Sequence, residues 1–197
     1  MHNRSLVSIL AVVVGVALAG SATAADKFLF DKAHSSIEFS VKHMVVSNVK
    51  GTFDTFDGAI MYDPVDIEKS SVDVTIEVAS VNTREAKRDE HLRSPDFFDS
   101  AKHPNITFKS SKIKKTGDGF VAVGTLTMRG VSKEVELPFI LNGPVVNPMG
   151  KTVIGVELTY KLNRRDFGVS WNKTLDAGGL VVGDEVKIEI NLEAAKG

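Results

Sequence analysis

The chain has 197 residues, 43% hydrophobic and 25% charged, with a formal net charge of −1. That length supports one domain with a real core, and the charge balance argues against a nucleic-acid binder, which is usually clearly basic. Cysteine is absent, which excludes disulfides, thiol catalysis and cysteine-ligated metals.

Residues 1–24 read as a cleaved secretory signal peptide. Arg4 supplies a positive start, Leu6 to Leu18 is almost wholly apolar, and Ala22-Thr23-Ala24 places the cut before Ala25. The apolar run falls short of the roughly 20 residues that span a bilayer. With no cysteine at the cut, a lipoprotein anchor is excluded. Residues 25–197 are therefore expected to form one exported, soluble domain without stable membrane insertion.

From residue 30 onward the dominant pattern is period-2 alternation, the mark of a half-buried strand. Ile37, Phe39 and Val41 alternate with Glu38, Ser40 and Lys42, and Val72, Val74, Ile76 and Val78 with Asp73, Thr75 and Glu77. Val135 to Leu141, Ile154 to Tyr160 and Val186 to Leu192 repeat the pattern. The predicted strands are 34–45, 50–63, 71–80, 104–114, 119–128, 131–142, 150–163 and 183–194, separated by turn signals such as Asp63-Pro64 and Thr116-Gly117-Asp118-Gly119. Residues 83–100 break the pattern. Helix formers fill Thr83 to His91, and Ser94-Pro95 offers an N-cap followed by proline. Two short helical pieces are predicted there, between the third and fourth strands.

Eight sequential strands with one apolar face suggest an all-β antiparallel sheet, and closing it into a barrel removes its edges. Such a barrel holds packed side chains or one small ligand. Ala122, Gly124 and Gly155 would leave a tunnel if they faced inward, or would mark bends and bulges; alternation alone does not choose.

Chemistry-bearing motifs are sparse. There is no His-Glu-x-x-His, no Gly-x-Ser-x-Gly elbow and no glycine-rich phosphate loop. The histidines outside the leader are His34, His43, His91 and His103. His34 and His43 lie an odd number of residues apart, so on one regular strand they would face opposite sides. No metal and no cofactor are expected. Asp89, Glu90 and His91 form an acid–base cluster, which would serve an enzyme acting on a lipid or isoprenoid or would be a solvated helix face. Two stretches pair basic with aromatic residues. Arg84, Lys87, Arg88, His91 and Arg93 precede Phe97 and Phe98, and Arg164 and Arg165 precede Phe167 and Trp171. Arginine beside aromatics can receive an anionic head group or can simply pack its stem on the rings at a barrel rim.

These residues resemble the YceI family. Asp31-Lys32-Ala33-His34-Ser35 with Ile37, Phe39, Val41 and His43 matches its opening, and Val49 to Phe53 follows. Arg88-Asp89-Glu90-His91-Leu92-Arg93-Ser94-Pro95-Asp96-Phe97-Phe98-Asp99, then His103 to Phe108, is the most specific stretch. Gly124 to Val131 and Arg165-Asp166-Phe167-Gly168 complete the order. The resemblance implies a lipocalin-like antiparallel barrel, a periplasmic location, no catalytic activity and the binding of a long amphiphilic chain, typically a polyisoprenoid. A homodimer is compatible with the family type. The expected apolar lining includes Phe39, Val41, Phe53 and Phe108, with Phe97, Phe98 and Trp171 nearer the openings. A head group is expected beside Arg88 and His91, or beside Arg164 and Arg165, because charges cannot be buried unpaired in the tunnel.

Overall fold

The computed structural model describes residues 25–175 and 179–197; the predicted signal peptide lies outside them. The strand segments are β1 (Asp26–His43), β2 (Ser47–Phe53), β3 (Phe56–Tyr62), β4 (Ser71–Glu77), β5 (Val81–Asn82), β6 (Asn105–Thr116), β7 (Gly119–Met128), β8 (Val131–Val146), β9 (Thr152–Asn163) and β10 (Val182–Lys196), with one α-helix, α1 (Ala86–Arg93). Neighbours run β10-β9-β8-β7-β6-β4-β3-β1, and β1 pairs back onto β10. The result is a closed, eight-stranded antiparallel barrel with one short helix among the described residues.

Two predicted strands are broken. Residues 50–63 divide into β2 and β3 at Asp54-Thr55, and 71–80 divides where the 3-10 turn Val78–Ser80 separates β4 from β5. β1 is shared between the pieces: its first residues pair with β3 and its last six with β2. The break is held by Asp54, which accepts from Thr52 Oγ1 at 2.6 Å and from Asn82 Nδ2 at 2.9 Å. Those hydrogen bonds, Thr52's first, hold its carboxyl below the usual aspartate range. The helix consequently follows β5, not the third strand segment. The second predicted helical piece is a series of turns. Ser94 is the C-cap of α1, its Oγ donating to the His91 carbonyl at 2.7 Å. Asp99 at φ 51 then turns the chain back, which sends Phe97 and Phe98 toward the barrel instead of along a helix.

β1 also begins eight residues before its predicted start, because a bulge hides its alternation. From Asp31 to Ser36 the strand takes five steps while β10 takes two, from Glu193 to Asn191. An odd difference flips side-chain parity. Phe28 and Phe30 are buried before the bulge, Ile37 after it. The Asp-Lys-Ala-His-Ser stretch closes this bulge. Asp31 accepts from the Ala33 amide at 2.9 Å and meets His34 Nδ1 at 2.8 Å, while Ser35 Oγ donates to the Asp31 carbonyl and accepts from the Glu193 amide at 3.0 Å. The Ser35 hydroxyl thus replaces the lost ladder partner.

The His34–Asp31 contact has a pH signature. Its hydrogen bond, reinforced by the charges of Asp31 and Glu193, raises the His34 pKa above 6.5. The His34 hydrogen bond and the Ala33 amide lower that of Asp31 below 3.8. A raised histidine contributes stability that is complete below its unfolded value and fades as pH rises through the folded one. The lowered carboxylate contributes above its unfolded value and fades as pH falls through its folded one. His34→Gln should therefore remove a decline in the urea midpoint on the alkaline side of 6.5; parallel midpoint curves for the two proteins would contradict this.

Candidate functional site

Barrel closure turns the apolar face of each strand inward, and the inward residues do not fill the space. A cavity of about 380 Å³ lies in the interior, within the range of small-molecule sites. Its wall is almost wholly apolar. Val156, Leu158, Tyr160 and Leu162 come from β9, Val186, Ile188, Ile190 and Leu192 from β10, Leu137, Phe139 and Leu141 from β8, and Ile60, Val72, Val74 and Ile76 from β3 and β4. At the end where the chain enters β1, the barrel is solid. Phe28 is 1% exposed, Ile154 1% and Ala194 0%, and none of them lines the cavity. Ala194 pairs with both Phe30 and Ile154, and Phe28 meets Tyr62 edge-on at 5.8 Å between ring centroids. The opposite end, where β1 finishes, carries α1, the 3-10 turn Arg164–Phe167 and the segment leading to β10.

Phe39, Val41, Phe53, Phe97, Phe98, Phe108 and Trp171, the seven apolar residues expected around the ligand, all border the cavity. The helix end gathers the aromatics. Phe53 lies 5.6 Å from Phe39 and 5.9 Å from Phe98. His91, Phe97 and Trp171 are mutually in contact at 5.0, 4.9 and 5.2 Å between centroids. Of the small residues that suggested a tunnel, Ala122 borders the cavity and Gly124 does not. Gly124 faces the β6 bulge at Ser110–Lys112, where a Cβ would collide with the Lys109 carbonyl and the Phe108 ring. The bend reading holds for it.

The two basic clusters, about 75 residues apart in sequence, meet at this same end, and most of their arginines are committed to the main chain. Arg88 donates to Thr83 Oγ1 at 2.7 Å and to the Thr83 carbonyl at 2.9 Å. Arg93 donates to the carbonyls of Ala79 at 2.8 Å and Val81 at 3.1 Å. Arg164, 4% exposed, donates to the carbonyls of Val169 at 2.7 Å and Gly183 at 2.8 Å and meets Asp184 at 3.3 Å. Burial pulls the Arg164 guanidinium below the usual arginine range, and Asp184 opposes the shift. Arg165 pairs with Asp184 at 2.7 Å and stands outside the cavity wall. Arg129, in the turn between β7 and β8, donates to the carbonyls of Pro95 and Gly168 and so ties the turn after α1 to the 3-10 turn. Strand ends at a barrel rim leave carbonyls without ladder partners, and arginine's five donors suit that task.

The acid–base cluster is dispersed. Asp89 is buried and accepts from the Thr83 amide at 2.8 Å and from Thr83 Oγ1 at 2.5 Å. Glu90 is exposed, and His91 Nε2 pairs with Asp96 at 2.9 Å. Asp89 therefore closes the loop before α1, and His91 faces an acid on the next turn. His34 and His43 part company as parity predicts for a regular strand, but for another reason: His34 stands on the bulge and His43 at the cavity wall. Among the described residues, the one group of metal-type donors within 4.8 Å of one another is Asp31, His34 and Glu193, on the bulge and away from the cavity.

A YceI-like domain model matches residues 28–194, nearly all of the described chain. The chain belongs to the YceI family. UPF0312 proteins of Staphylococcus aureus are 40% identical over 167 residues, 84% of this chain and 95% of theirs. The Campylobacter jejuni YCEI protein is 37% identical with a TM-score of 0.67, covering 79% of this chain and 90% of that one. Burkholderia cenocepacia BcnA is 25% identical with a TM-score of 0.73, covering 83% and 98%. A polyisoprenoid binding domain from Saccharophagus degradans shares the fold at 17% identity and a TM-score of 0.61, covering 88% and 99%. Within this YceI domain, sequence reasoning missed the clamping role of Arg129 and the wall residues Tyr62, Ile67 and Phe139. Alternation marked Phe139 as one-faced; only closure made that face the inside.

Proposed function

We propose that this YceI domain is an exported, lipocalin-like carrier that holds a long amphiphilic chain, a polyisoprenoid, in its barrel, and that it works in the periplasm after loss of residues 1–24. The observation that carries this reading is the apolar cavity of about 380 Å³ inside the barrel. Burying a methylene is worth about 0.8 kcal/mol, so a chain of about fifteen gains on the order of 12 kcal/mol gross. Ordering and lost translational freedom return several kcal/mol of that, which leaves micromolar or tighter binding. No polar anchor is needed for affinity. Native mass spectrometry of the delipidated protein with added polyprenol tests the proposal. A stoichiometric complex is expected; no complex below roughly millimolar concentration would overturn it.

His91 is the better of the foreseen head-group contacts: it borders the cavity and its one polar partner is the exposed Asp96, whereas Arg88 and Arg164 are held by carbonyls and Arg165, paired with Asp184, stands outside the wall. His91→Ala should weaken a prenyl phosphate several-fold more than a prenol of equal length. Equal weakening of both would assign His91 to packing against Phe97 and Trp171. Turnover of either lipid by the parent protein, lost in His91→Ala, would revive the enzymatic alternative.

A further inference from the structure

The turn that joins β1 to β2 is built against its own surroundings. Met44 and Val45 adopt φ 48 and φ 65, the doubly left-handed geometry of a tight hairpin turn, where asparagine and glycine are the usual occupants. A β-branched residue in that region is a genuine outlier. The same residues are apolar and face solvent: Met44 is 40% exposed, Val45 71% and Val46 80%. Beside them Leu180 is also exposed, and the Met44 amide donates to the Val181 carbonyl at 2.8 Å. A soluble loop gains nothing from strain and apolar exposure together, and such strain marks functional segments.

The position of the turn says what it meets. His43, Val49 and Val181, which flank it on three sides, border the cavity. Lys42, two residues before the turn, and Lys50, four residues after it, belong to none of the ion pairs among the described residues. An apolar tip with free ammonium groups beside it, continuous with a lipid-sized cavity, matches the interface of an anionic bilayer. A second apolar turn, Val145, Val146 and Met149, lies at the opposite, solid end of the barrel. Nothing between Leu141 and Val156 borders the cavity, so that turn lacks the continuity.

We propose that the Met44–Val46 turn is a membrane-docking tip that dips into an anionic lipid surface and brings the cavity mouth to the bilayer for transfer of a chain. This deepens the carrier reading and rests on it. A tip of three side chains gives weak, reversible attachment, which suits loading and unloading. The test uses vesicles of phosphatidylethanolamine and phosphatidylglycerol containing a polyprenol, with the parent protein, with Val45→Gly plus Val46→Ser, and with Val145→Ser plus Val146→Ser. Glycine relieves the left-handed position, so the first variant should melt no lower than the parent. Its vesicle association should fall by about tenfold, and extraction of polyprenol should slow in proportion. Its affinity for polyprenol delivered from detergent should stay unchanged, and the Val145/Val146 variant should behave as the parent. Vesicle association equal to the parent's, or an equal loss in the Val145/Val146 variant, overturns the proposal. So does a change confined to self-association in sedimentation, which would assign the tip to a second copy of the chain. If the parent docks through the tip but takes up no polyprenol from either source, the docking tip stands and the carrier reading falls.

Discussion

Ala122→Phe should abolish chain binding while the barrel stays folded. Ala122 sits on β7, 5% exposed, paired with Ile113 on one side and Leu137 on the other, and it borders the cavity. Large side chains inserted into a packed core cause strain, but here the added ring has empty space to enter. It displaces about four or five methylenes of ligand, about 3–4 kcal/mol of burial, or two to three orders of magnitude in affinity. The ring itself gains apolar contact, so the melting temperature should hold or rise. Leu158→Trp, entering from β9, provides the same test from another wall. Titration with a fluorescent prenyl chain, beside thermal melts, reads both quantities. Undiminished affinity in two well-folded variants would place the ligand elsewhere on the molecule.

Arg164→Met should produce the largest loss of stability of any single change at the helix end. Methionine keeps the apolar stem and removes the donors. The Val169 and Gly183 carbonyls lose their partner, and Asp184 keeps only Arg165. Orphaning buried polar groups costs about 1–3 kcal/mol each, so a loss of about 3 kcal/mol or more is expected. In a domain of this size that is roughly 6–12 °C in melting temperature. Thermal and urea unfolding check it. Binding of a neutral prenol by protein that is still folded should change little. A melting temperature within a degree or two of the parent's would show that the carbonyls find other donors, and selective loss of phosphorylated ligand would return Arg164 to the head group.

These expectations divide along the line between local and non-local physics. Alternation is local: each residue's side is set by its neighbours two positions away. That made the strands readable, together with the apolar faces that became the wall, from Phe39 and Phe53 to Phe108. It failed where the pattern is interrupted by design. The bulge at Asp31–Ser36 flips the parity of β1, so Phe28 and Phe30 fall out of step with Ile37 and Phe39 in the sequence. The break at Asp54-Thr55 divides one predicted strand into two because β1 hands its pairing from β3 to β2.

The charged residues were legible as clusters and illegible in their roles. Arg88, Arg93, Arg129 and Arg164 look alike on paper, and each could face a ligand. Their partners are carbonyls of Thr83, Ala79, Val81, Pro95, Gly168, Val169 and Gly183, which come near only once the rim is assembled. The amino-acid order by itself determined an all-β chain with one apolar face per strand and a charged, aromatic insertion. Tertiary structure alone decided that the faces close around a cavity instead of filling it, and that both basic clusters share one end. Closure depends on register and bulges in eight strands at once, and which side chains leave space between them is a property of the closed barrel, not of any strand in it.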